Sequence, residues 1–362
     1  MKQIPIILYG AGGVGCALLK QIIQGHKQTA ARNHCQFNVV AIADSKTWLW
    51  DAKGLSDEQL LDIVAAKQKG LPVDPEYRLN LPQERVRPSR HGVLDAVSEA
   101  GLEKTIIVDV TANDDMEPVL IHALNLGFSV TLANKKPLAG PWETAQQFFN
   151  HPRVRYESTV GGGQPVIATL RYLLDINDPI YQIEGQMSGT LGFICRRLDE
   201  GGAFSTAVRE AKANGFTEPD PREDLGGMDV MRKVMILGRM AGWPLEPADI
   251  SVETLYTPDL VDLSVSDFMT SVAQLDETMR QRVETAAADG NVLRYVAEVE
   301  NGRGTVGLKA LPATSGLASL KYISFCTGRY NDEALLIGGK GAGVDMTAAG
   351  VIGDMISLVR EQ

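Results

Sequence analysis

The chain has 362 residues, 44% of them hydrophobic and 22% charged, and its formal net charge is −10. At about 150 residues per domain, this length predicts two domains. The negative charge argues against nucleic acid or an anionic membrane surface as a partner, because both attract basic faces. The apolar run at the N terminus is only about six residues long, and no run approaches the ~20 residues of a membrane span. We therefore expect neither a signal peptide nor a membrane anchor.

The cysteines are scattered along the chain without a CxxC pair, at Cys16, Cys35, Cys195 and Cys326, and the five histidines are equally dispersed. This spacing argues against a disulfide framework and against a structural zinc site. Buried thiols in a reducing compartment fit the pattern better, so we expect a cytoplasmic protein.

The first half of the chain alternates between buried strands and helices. "IPIILYGAGGVGCALLKQII" predicts a strand, a glycine turn and a helix, and further strands follow at 37–45, 105–114 and 128–138. The segment "MEPVLIHALNLG" predicts a helix that is closed by Gly127. Continuous apolar strands that alternate with helices indicate an α/β fold with a Rossmann-type, doubly wound parallel sheet.

The pattern predicts three segments. Residues 1–150 form a dinucleotide-binding domain, interrupted at 47–90 by an insertion with one helix and a proline-rich connection. Residues 151–325 mix strands and helices as an α+β domain does. We expect residues 326–362 to return to the first domain with a C-terminal helix.

The glycine turn fits the GxGxxG pattern of dinucleotide sites, and its candidate cofactor residues are Gly10, Gly12, Gly13, Val14 and Gly15. Glycine allows the tight turn, the close approach of pyrophosphate and the packing of helix on strand. The N terminus of the helix then offers N–H groups and a partial positive charge to the phosphates. A turn used only for packing is the alternative, but a strand before it and a helix after it favour the cofactor site.

Asp44 ends the second strand, where an acid binds the adenosine ribose of NAD. It lies 29 residues after Gly15, which is further than usual. An acid there disfavours the extra phosphate of NADP, whereas Ser45 and Lys46 could accept it. The choice between NAD and NADP stays open.

The stretch "TEPDPREDLGGMDVMRKV" at 217–234 is rich in charge. Hydride transfer to an aldehyde needs a proton donor, and a lysine is the natural candidate in a chain without a histidine cluster. Asp229 and Lys233 lie four residues apart and share one helix face, while the acids Glu218, Glu223 and Asp224 lie in the loop before it. From the local pattern alone, a solvated acidic start of a helix is the more usual interpretation.

Two further polar sites follow strands. Lys135 comes after the fourth strand, at the edge where parallel sheets bind ligands, although a surface lysine pair is the alternative. The turn "ESTVGGGQP" at 157–165 combines an acid with glycine carbonyls and could bind a hard cation, although a packing turn is the alternative.

Taken together, these stretches resemble the homoserine dehydrogenase family over essentially the whole chain. They are "GAGGVG", "ANKKPL", "ESTVGGGQPVI", "SGTLGFI", "GFTEPDPREDLGGMDVMRKVMILGR" and "GKGAGVDMTAAGVIGDM". The resemblance implies an enzyme that uses NAD or NADP to interconvert L-homoserine and L-aspartate 4-semialdehyde, on the route to threonine and methionine. It also implies that residues 151–325 bind substrate and form a homodimer.

The resemblance assigns roles to individual residues. It implies that Lys233 is the general acid and base, and that Lys135 lies near substrate and nicotinamide. The acids implied to hold the substrate are Glu218, Glu223, Asp224 and Asp229. The residues implied to line the cofactor are Gly12, Val14, Thr111 and Gly343. The implied monovalent-cation site, usually for sodium, consists of Glu157, Val160, Gly162 and Gln164.

The chain departs from the family pattern at two positions: Glu223 replaces a common Asp, and Gly192 replaces the Ser of "GTLSYI". Because the sequence ends directly after the last helix, we expect neither a regulatory ACT domain nor a fused aspartate kinase. Two rival functions remain at this point. One is another dinucleotide-dependent dehydrogenase on the same scaffold, and the other is a nucleotide sensor without catalysis.

Overall fold

The computed structural model describes residues 1–73 and 90–361. These residues form two compact units, one of 1–167 with 341–362 and one of 168–340. None of the helices in the described part of the chain is long and apolar enough to cross a membrane.

The first unit contains a six-stranded sheet with the order β3-β2-β1-β4-β5-β6. Its strands are β1 (Lys2–Tyr9), β2 (Cys35–Ala43), β3 (Trp48–Trp50), β4 (Ile106–Asp109), β5 (Ser129–Leu132) and β6 (Val154–Arg155). All neighbours pair in parallel except β3, which runs antiparallel to β2 at the edge. The chain leaves β1 towards β2 and later returns to place β4 on its other side. The carboxyl ends of β1 and β4 therefore adjoin a topological switch point, where sheets of this kind bind ligands.

Helices connect these strands and continue into the second half of the chain. They are α1 (Gly13–Asn33), α2 (Asp57–Gln68), α3 (Arg90–Glu99), α4 (Glu117–Asn125), α5 (Lys136–Ala139), α6 (Trp142–Ala145) and α7 (Val166–Asp175). The core of the first unit is made by apolar side chains of β1, such as Ile6 and Leu8, together with Leu18 of α1. These side chains are fully buried, and their burial is the main favourable term in folding.

The second unit contains another six-stranded sheet, with the order β12-β11-β7-β9-β10-β8. Its strands are β7 (Ile180–Gly185), β8 (Ile250–Val252), β9 (Asn291–Glu300), β10 (Arg303–Pro312), β11 (Tyr322–Thr327) and β12 (Leu335–Gly338). Pairing is antiparallel except between β10 and β8. Its helices are α8 (Gly189–Asp199), α9 (Phe204–Ala213), α10 (Pro221–Leu225), α11 (Met228–Met240), α12 (Val265–Ser271), α13 (Asp276–Ala288) and α14 (Gly316–Ser319).

The last helix, α15 (Val344–Glu361), belongs to the first unit. Val351 and Met355 of this helix are fully buried in the same core as β1. The predicted α/β class, with a Rossmann-type parallel sheet, a second α+β part and a returning C-terminal helix, is confirmed.

Several predicted bounds differ from the structure. The expected insertion at 47–90 contains the predicted helix as α2, but also the edge strand β3 and the start of α3, while its proline-rich connection at 74–89 lies outside the described residues. The compact units divide after 167 and after 340, whereas we expected boundaries at 150 and 325. The reason is hydrogen bonding, since β6 pairs with β5 of the first sheet, and β11 and β12 pair within the second. The domain roles stay predictions.

Candidate active site

The glycine turn follows β1 directly and has the shape that a dinucleotide requires. Gly10 has φ +99°, which an L side chain rarely adopts. A Cβ on Gly15 would lie 2.0 Å from the Gly10 carbonyl oxygen, so this position must be glycine for α1 to pack on the strand. By contrast, a Cβ on Gly12 would meet no atom of the described residues within 4 Å, its chain neighbours aside. The open space above Gly12 is where a pyrophosphate could approach the backbone, and the turn therefore fits the group.

The N terminus of α1 is suited to an anion. Within the described residues no side chain caps this terminus, and the first turn carries no acid. Val14 is half-buried in that turn, and the exposed Gly13 faces Val344, the first residue of α15, at 3.4 Å from its Cβ position. Gly343 is also exposed, and in the part of the chain that the structure describes no atom beyond its chain neighbours lies within 4 Å of its Cβ position. The start of α15 therefore lies beside the glycine turn, as a cofactor-lining Gly343 requires.

Polar side chains organise the carboxyl ends of β4 and β5. The buried carboxylate of Asp109 accepts hydrogen bonds from the Thr111 hydroxyl at 2.7 Å and from the Asn134 amide at 3.0 Å. Thr111 in turn lies beside Gly10, 3.1 Å from its Cβ position. Lys135 follows Asn134 as the half-buried N-cap residue of α5, while Lys136 pairs with Asp114 at 2.8 Å. Gly10, Thr111 and Lys135 thus lie at the same edge of the first sheet.

Asp44 lies at the end of β2, as predicted, but its carboxylate already has protein partners. One oxygen accepts the N–H groups of Lys46 and Thr47, both at 2.8 Å. The other accepts the Lys67 ammonium at 2.7 Å and the N–H of Val73 at 3.0 Å. Burial by itself raises the pKa of Asp44, but the bonds from Lys67 and the backbone more than offset it, so the pKa lies below its ordinary value. The carboxylate holds the loop after β2 in place.

The predicted cation turn is tightly folded. Glu157 is buried, and its Oε1 accepts the N–H of Ile167 at 2.8 Å. A Cβ on Gly161 would lie 3.0 Å from that Oε1 and 2.1 Å from the carbonyl oxygen of Gln164, so these two oxygens converge on one point. The N–H of Val160 donates to the Glu157 carbonyl at 3.3 Å, which closes the turn.

The remaining predicted ligand, the Gly162 carbonyl, accepts the Ser158 hydroxyl at 3.0 Å. The structure therefore brings Glu157 and Gln164 oxygens together and places Val160 and Gly162 in the same turn. Among residues 1–73 and 90–361 no group of three or more His, Cys, Asp or Glu side chains could hold a metal ion. A site here would depend on one carboxylate and on carbonyl oxygens, which suits a hard cation.

In the second unit, α11 carries the predicted lysine. Gly227 precedes this helix with φ +71°, and a Cβ there would lie 2.1 Å from the Tyr295 hydroxyl, so only glycine fits. Asp229 and Lys233 form an ion pair at 2.8 Å across one turn of α11. The Lys233 ammonium also donates to the Met187 carbonyl at 2.8 Å, and its side chain is only 16% exposed. Lys233 is therefore held in a defined position and is not a mobile surface lysine.

The acidic side chains before α11 differ in how deeply they are buried. Asp224 is half-buried, its Oδ2 accepts the N–H of Glu218 at 2.8 Å, and the Thr190 hydroxyl lies within hydrogen-bonding reach. Burial raises the pKa of Asp224, and the nearby charge of Asp229 adds to this effect. The Glu218 and Glu223 side chains are exposed. A cation at Asp224 would relieve the cost of burying its carboxylate.

The sequence interpretation placed residues 218–224 in a loop, but 221–225 form the short helix α10. The sequence interpretation also missed the hydrogen bonds that hold this helix in place. The Arg222 guanidinium pairs with Asp220 at 2.7 Å and donates to the carbonyls of Leu260, Val261 and Leu263. Asp220 and Arg222 therefore have a structural role. The sequence does not show this role, because the carbonyls that Arg222 binds lie far along the chain.

Two family models match the chain. The model for the homoserine dehydrogenase NAD-binding domain matches residues 10–155, and the model for homoserine dehydrogenase matches residues 165–356. The bifunctional aspartokinase/homoserine dehydrogenase of Haemophilus influenzae is 35% identical over 374 residues, which cover 99% of this chain and 43% of that protein. The chain spans less than half the length of the curated relatives it matches.

Two solved structures are similar over nearly their full length. A crystal structure of a Candida auris protein of unknown function has a TM-score of 0.83 and 28% identity, with 99% of each chain covered. A hyperthermophilic archaeal homoserine dehydrogenase in complex with NADPH has a TM-score of 0.71 and 25% identity, with 98% of this chain and 97% of that chain covered. The matched ranges contain the glycine turn, Lys135 and the Asp229–Lys233 pair. The chain belongs to the homoserine dehydrogenase family.

Proposed function

We propose that the protein reversibly interconverts L-homoserine and L-aspartate 4-semialdehyde with NAD or NADP, as a step towards threonine and methionine. The observation that carries the proposal is the environment of Lys233. This lysine is largely buried, bonded to Asp229 and to the Met187 carbonyl, in a chain whose first unit has the dinucleotide turn. Family membership supports the choice of substrate.

In this reaction Lys233 gives a proton to the aldehyde oxygen. A dinucleotide held at the glycine turn would supply the hydride that the aldehyde carbon takes up. Asp229 orients the ammonium of Lys233. The carboxylates of Asp224, Glu218 and Glu223 attract the ammonium of the substrate. Lys135 positions the substrate, as the family resemblance implies. In the reverse direction Lys233 must be neutral to take the proton from homoserine, so oxidation favours alkaline pH. General acid–base assistance of this kind contributes about 10²–10⁴-fold to the rate.

We infer that NADPH is preferred over NADH. The Asp44 carboxylate, which would bind the ribose of NAD, accepts four donors from the protein and is neutralised by Lys67. Ser45 and Lys46 are exposed in the same loop and could bind the extra phosphate of NADP. The NADPH in the archaeal relative is consistent with this preference.

We further propose that the turn at 157–164 holds a monovalent cation, with sodium as the natural choice. Glu157 supplies the carboxylate, and the carbonyls of Val160, Gly162 and Gln164 supply neutral oxygens. When bound, the cation would balance the buried charge of Glu157 and stiffen the turn. The family resemblance also supports a homodimer formed through the second unit and a cytoplasmic location.

The test is the initial rate of reduction of L-aspartate 4-semialdehyde with NADPH and with NADH, compared with a panel of other small aldehydes. We expect the semialdehyde to have the highest kcat/KM, and NADPH to give a higher kcat/KM than NADH; equal or better use of NADH would contradict the inferred preference. A higher kcat/KM with another aldehyde would indicate the rival dehydrogenase. Dinucleotide binding without turnover of any aldehyde would indicate a nucleotide sensor.

A further inference from the structure

Lys321 lies directly before β11 and reaches over the first turn of α8. Its Nζ is 3.2 Å from the position that a Cβ would take on Gly189, and its Cε is 3.9 Å from the same position on Gly192. A side chain on Gly189 would crowd the lysine, whereas the distance at Gly192 is an ordinary van der Waals contact, so Gly189 makes room for the ammonium. Its ammonium is therefore held beside the N terminus of α8.

Among the residues that the structure describes, this ammonium has no ion-pair partner. Within the described residues no carboxylate or carbonyl accepts a bond from it, and the charged groups that face it are the cations of Arg196 and Lys233. Burial lowers the pKa of Lys321, and the charges of Arg196 and Lys233 lower it further. Lys233 is compensated by Asp229 at 2.8 Å, but Lys321 has no such partner within residues 1–73 and 90–361. A half-buried cation among cations is unfavourable unless an anion joins it.

A negative charge on α10 lies near the same turn of α8. Thr190, next to Gly189, donates its hydroxyl to the Phe216 carbonyl at 2.5 Å and also lies within hydrogen-bonding reach of the Asp224 carboxylate. Consecutive Cα atoms are about 3.8 Å apart. The Lys321 ammonium, beside Gly189, and the Asp224 carboxylate, beside Thr190, therefore both lie near the first turn of α8, and the Lys233 charge acts on Lys321. An α-amino acid presents the matching pair, because its ammonium and carboxylate are attached to one carbon.

We propose that Lys321 binds the α-carboxylate of the amino-acid substrate at the N terminus of α8, and so selects substrates that have this carboxylate. This proposal rests on the proposed function, since it places the substrate of Lys233. The backbone N–H groups in the first turn of α8 add their partial positive charge to the same anion. Asp224 takes the ammonium, and the remaining end of the substrate extends to Lys233.

The test compares L-homoserine with 3-aminopropan-1-ol, which is the same amino alcohol without the carboxylate. Oxidation is measured at about pH 8, where an ordinary lysine is protonated. K321M keeps the length of the side chain and removes its charge. We expect it to lower kcat/KM for homoserine by about 10- to 100-fold, mainly through KM, because a charge-assisted bond is lost. The rate with 3-aminopropan-1-ol stays within about twofold of the parent by the same reasoning.

Two further variants control the result. K321R keeps the charge and retains most of the homoserine activity, whereas K27M removes an exposed lysine from α1 and changes neither substrate's kinetics. K321M should also unfold at the same temperature as the parent or a higher one. The pKa of Lys321 is lowered in the folded protein, so its charged form disfavours folding below that pKa; the cost shrinks as the pH rises above it and is gone above the ordinary pKa of lysine.

Equal losses of K321M activity with both substrates, or unchanged kinetics with homoserine, would overturn the role of Lys321. Calorimetric titration with L-homoserine separates this proposal from the proposed function, because it needs no turnover. A parent protein that binds homoserine without oxidising it refutes the reaction, while weaker binding by K321M still supports the carboxylate contact. Absence of homoserine binding by the parent refutes both.

Discussion

Charged residues in this protein differ in how far the protein itself satisfies them. Asp44 and Arg222 are bonded on all sides by backbone groups and opposite charges, so they fix loops. Lys233 has one ion pair and one carbonyl, and Asp224 has a pKa raised by burial. Groups that folding leaves incompletely satisfied are the ones that a substrate can complete, which is why perturbed groups mark functional sites.

Among single-residue changes, Lys233→Ala is the decisive test of the proposed reaction. We expect kcat to fall by about 10²–10⁴-fold, because no other group replaces the lost proton carrier. The dissociation constant for NADPH should not change, since the dinucleotide turn lies in the first unit. Stopped-flow measurement of turnover and fluorescence titration of NADPH check the two parts separately. Lys212→Ala, on α9 of the same unit, is the matched control, and an unchanged kcat in the Lys233 variant would refute the assignment.

Among the elements, the strand–turn–helix unit from β1 to α1 shows how two glycines in one motif serve different purposes. Gly15 permits the packing of helix on strand, because a Cβ there would lie 2.0 Å from a carbonyl oxygen. Apart from its chain neighbours, no atom of the described residues lies within 4 Å of the Cβ position of Gly12, and its backbone is extended. We propose that the fold needs Gly15 and that the dinucleotide needs Gly12.

This difference predicts opposite outcomes for two alanine substitutions. Gly15→Ala should lower the free energy of unfolding by about 1–3 kcal/mol or more, as overpacking does. Gly12→Ala should change that free energy by less than about 1 kcal/mol. It should nevertheless weaken NADPH binding by about tenfold or more, since its methyl group occupies the space for the pyrophosphate. Urea denaturation and calorimetric titration of both variants measure these effects, and a stable Gly15→Ala protein with normal NADPH binding would contradict the packing argument.

The second element of interest is the segment from α10 to α11. The expected loop is a short helix, because Asp220 caps it and Arg222 ties it to carbonyls about forty residues further along the chain. Gly227 then gives the chain the left-handed turn from which α11 begins. The spacing of Asp229 and Lys233 alone predicts that they share one helix face, and in the structure they form an ion pair.

For the whole molecule, the proposed assembly is a dimer. Each chain has a mass of 39.2 kDa, so light scattering coupled to size-exclusion chromatography should give twice this value. The value should hold over a wide range of protein and salt concentrations, because obligate dimer interfaces are large and apolar. A mass of one chain at all concentrations would contradict the proposal, and it would leave the assignment of Lys233 and Lys321 intact, since both lie within one chain.

The sequence by itself determined the α/β class, the glycine turn and the Asp229–Lys233 pair, because these depend on period, on local turn chemistry and on neighbours one helical turn apart. Tertiary structure alone decided which charges remain for a ligand. Asp44 meets Lys67 and Val73, and Lys321 meets Gly189, across long stretches of chain that no local pattern relates. Electrostatic partners depend on distance in space, whereas sequence patterns record distance along the chain. That is why the lysine beside α8 became visible only in the folded protein.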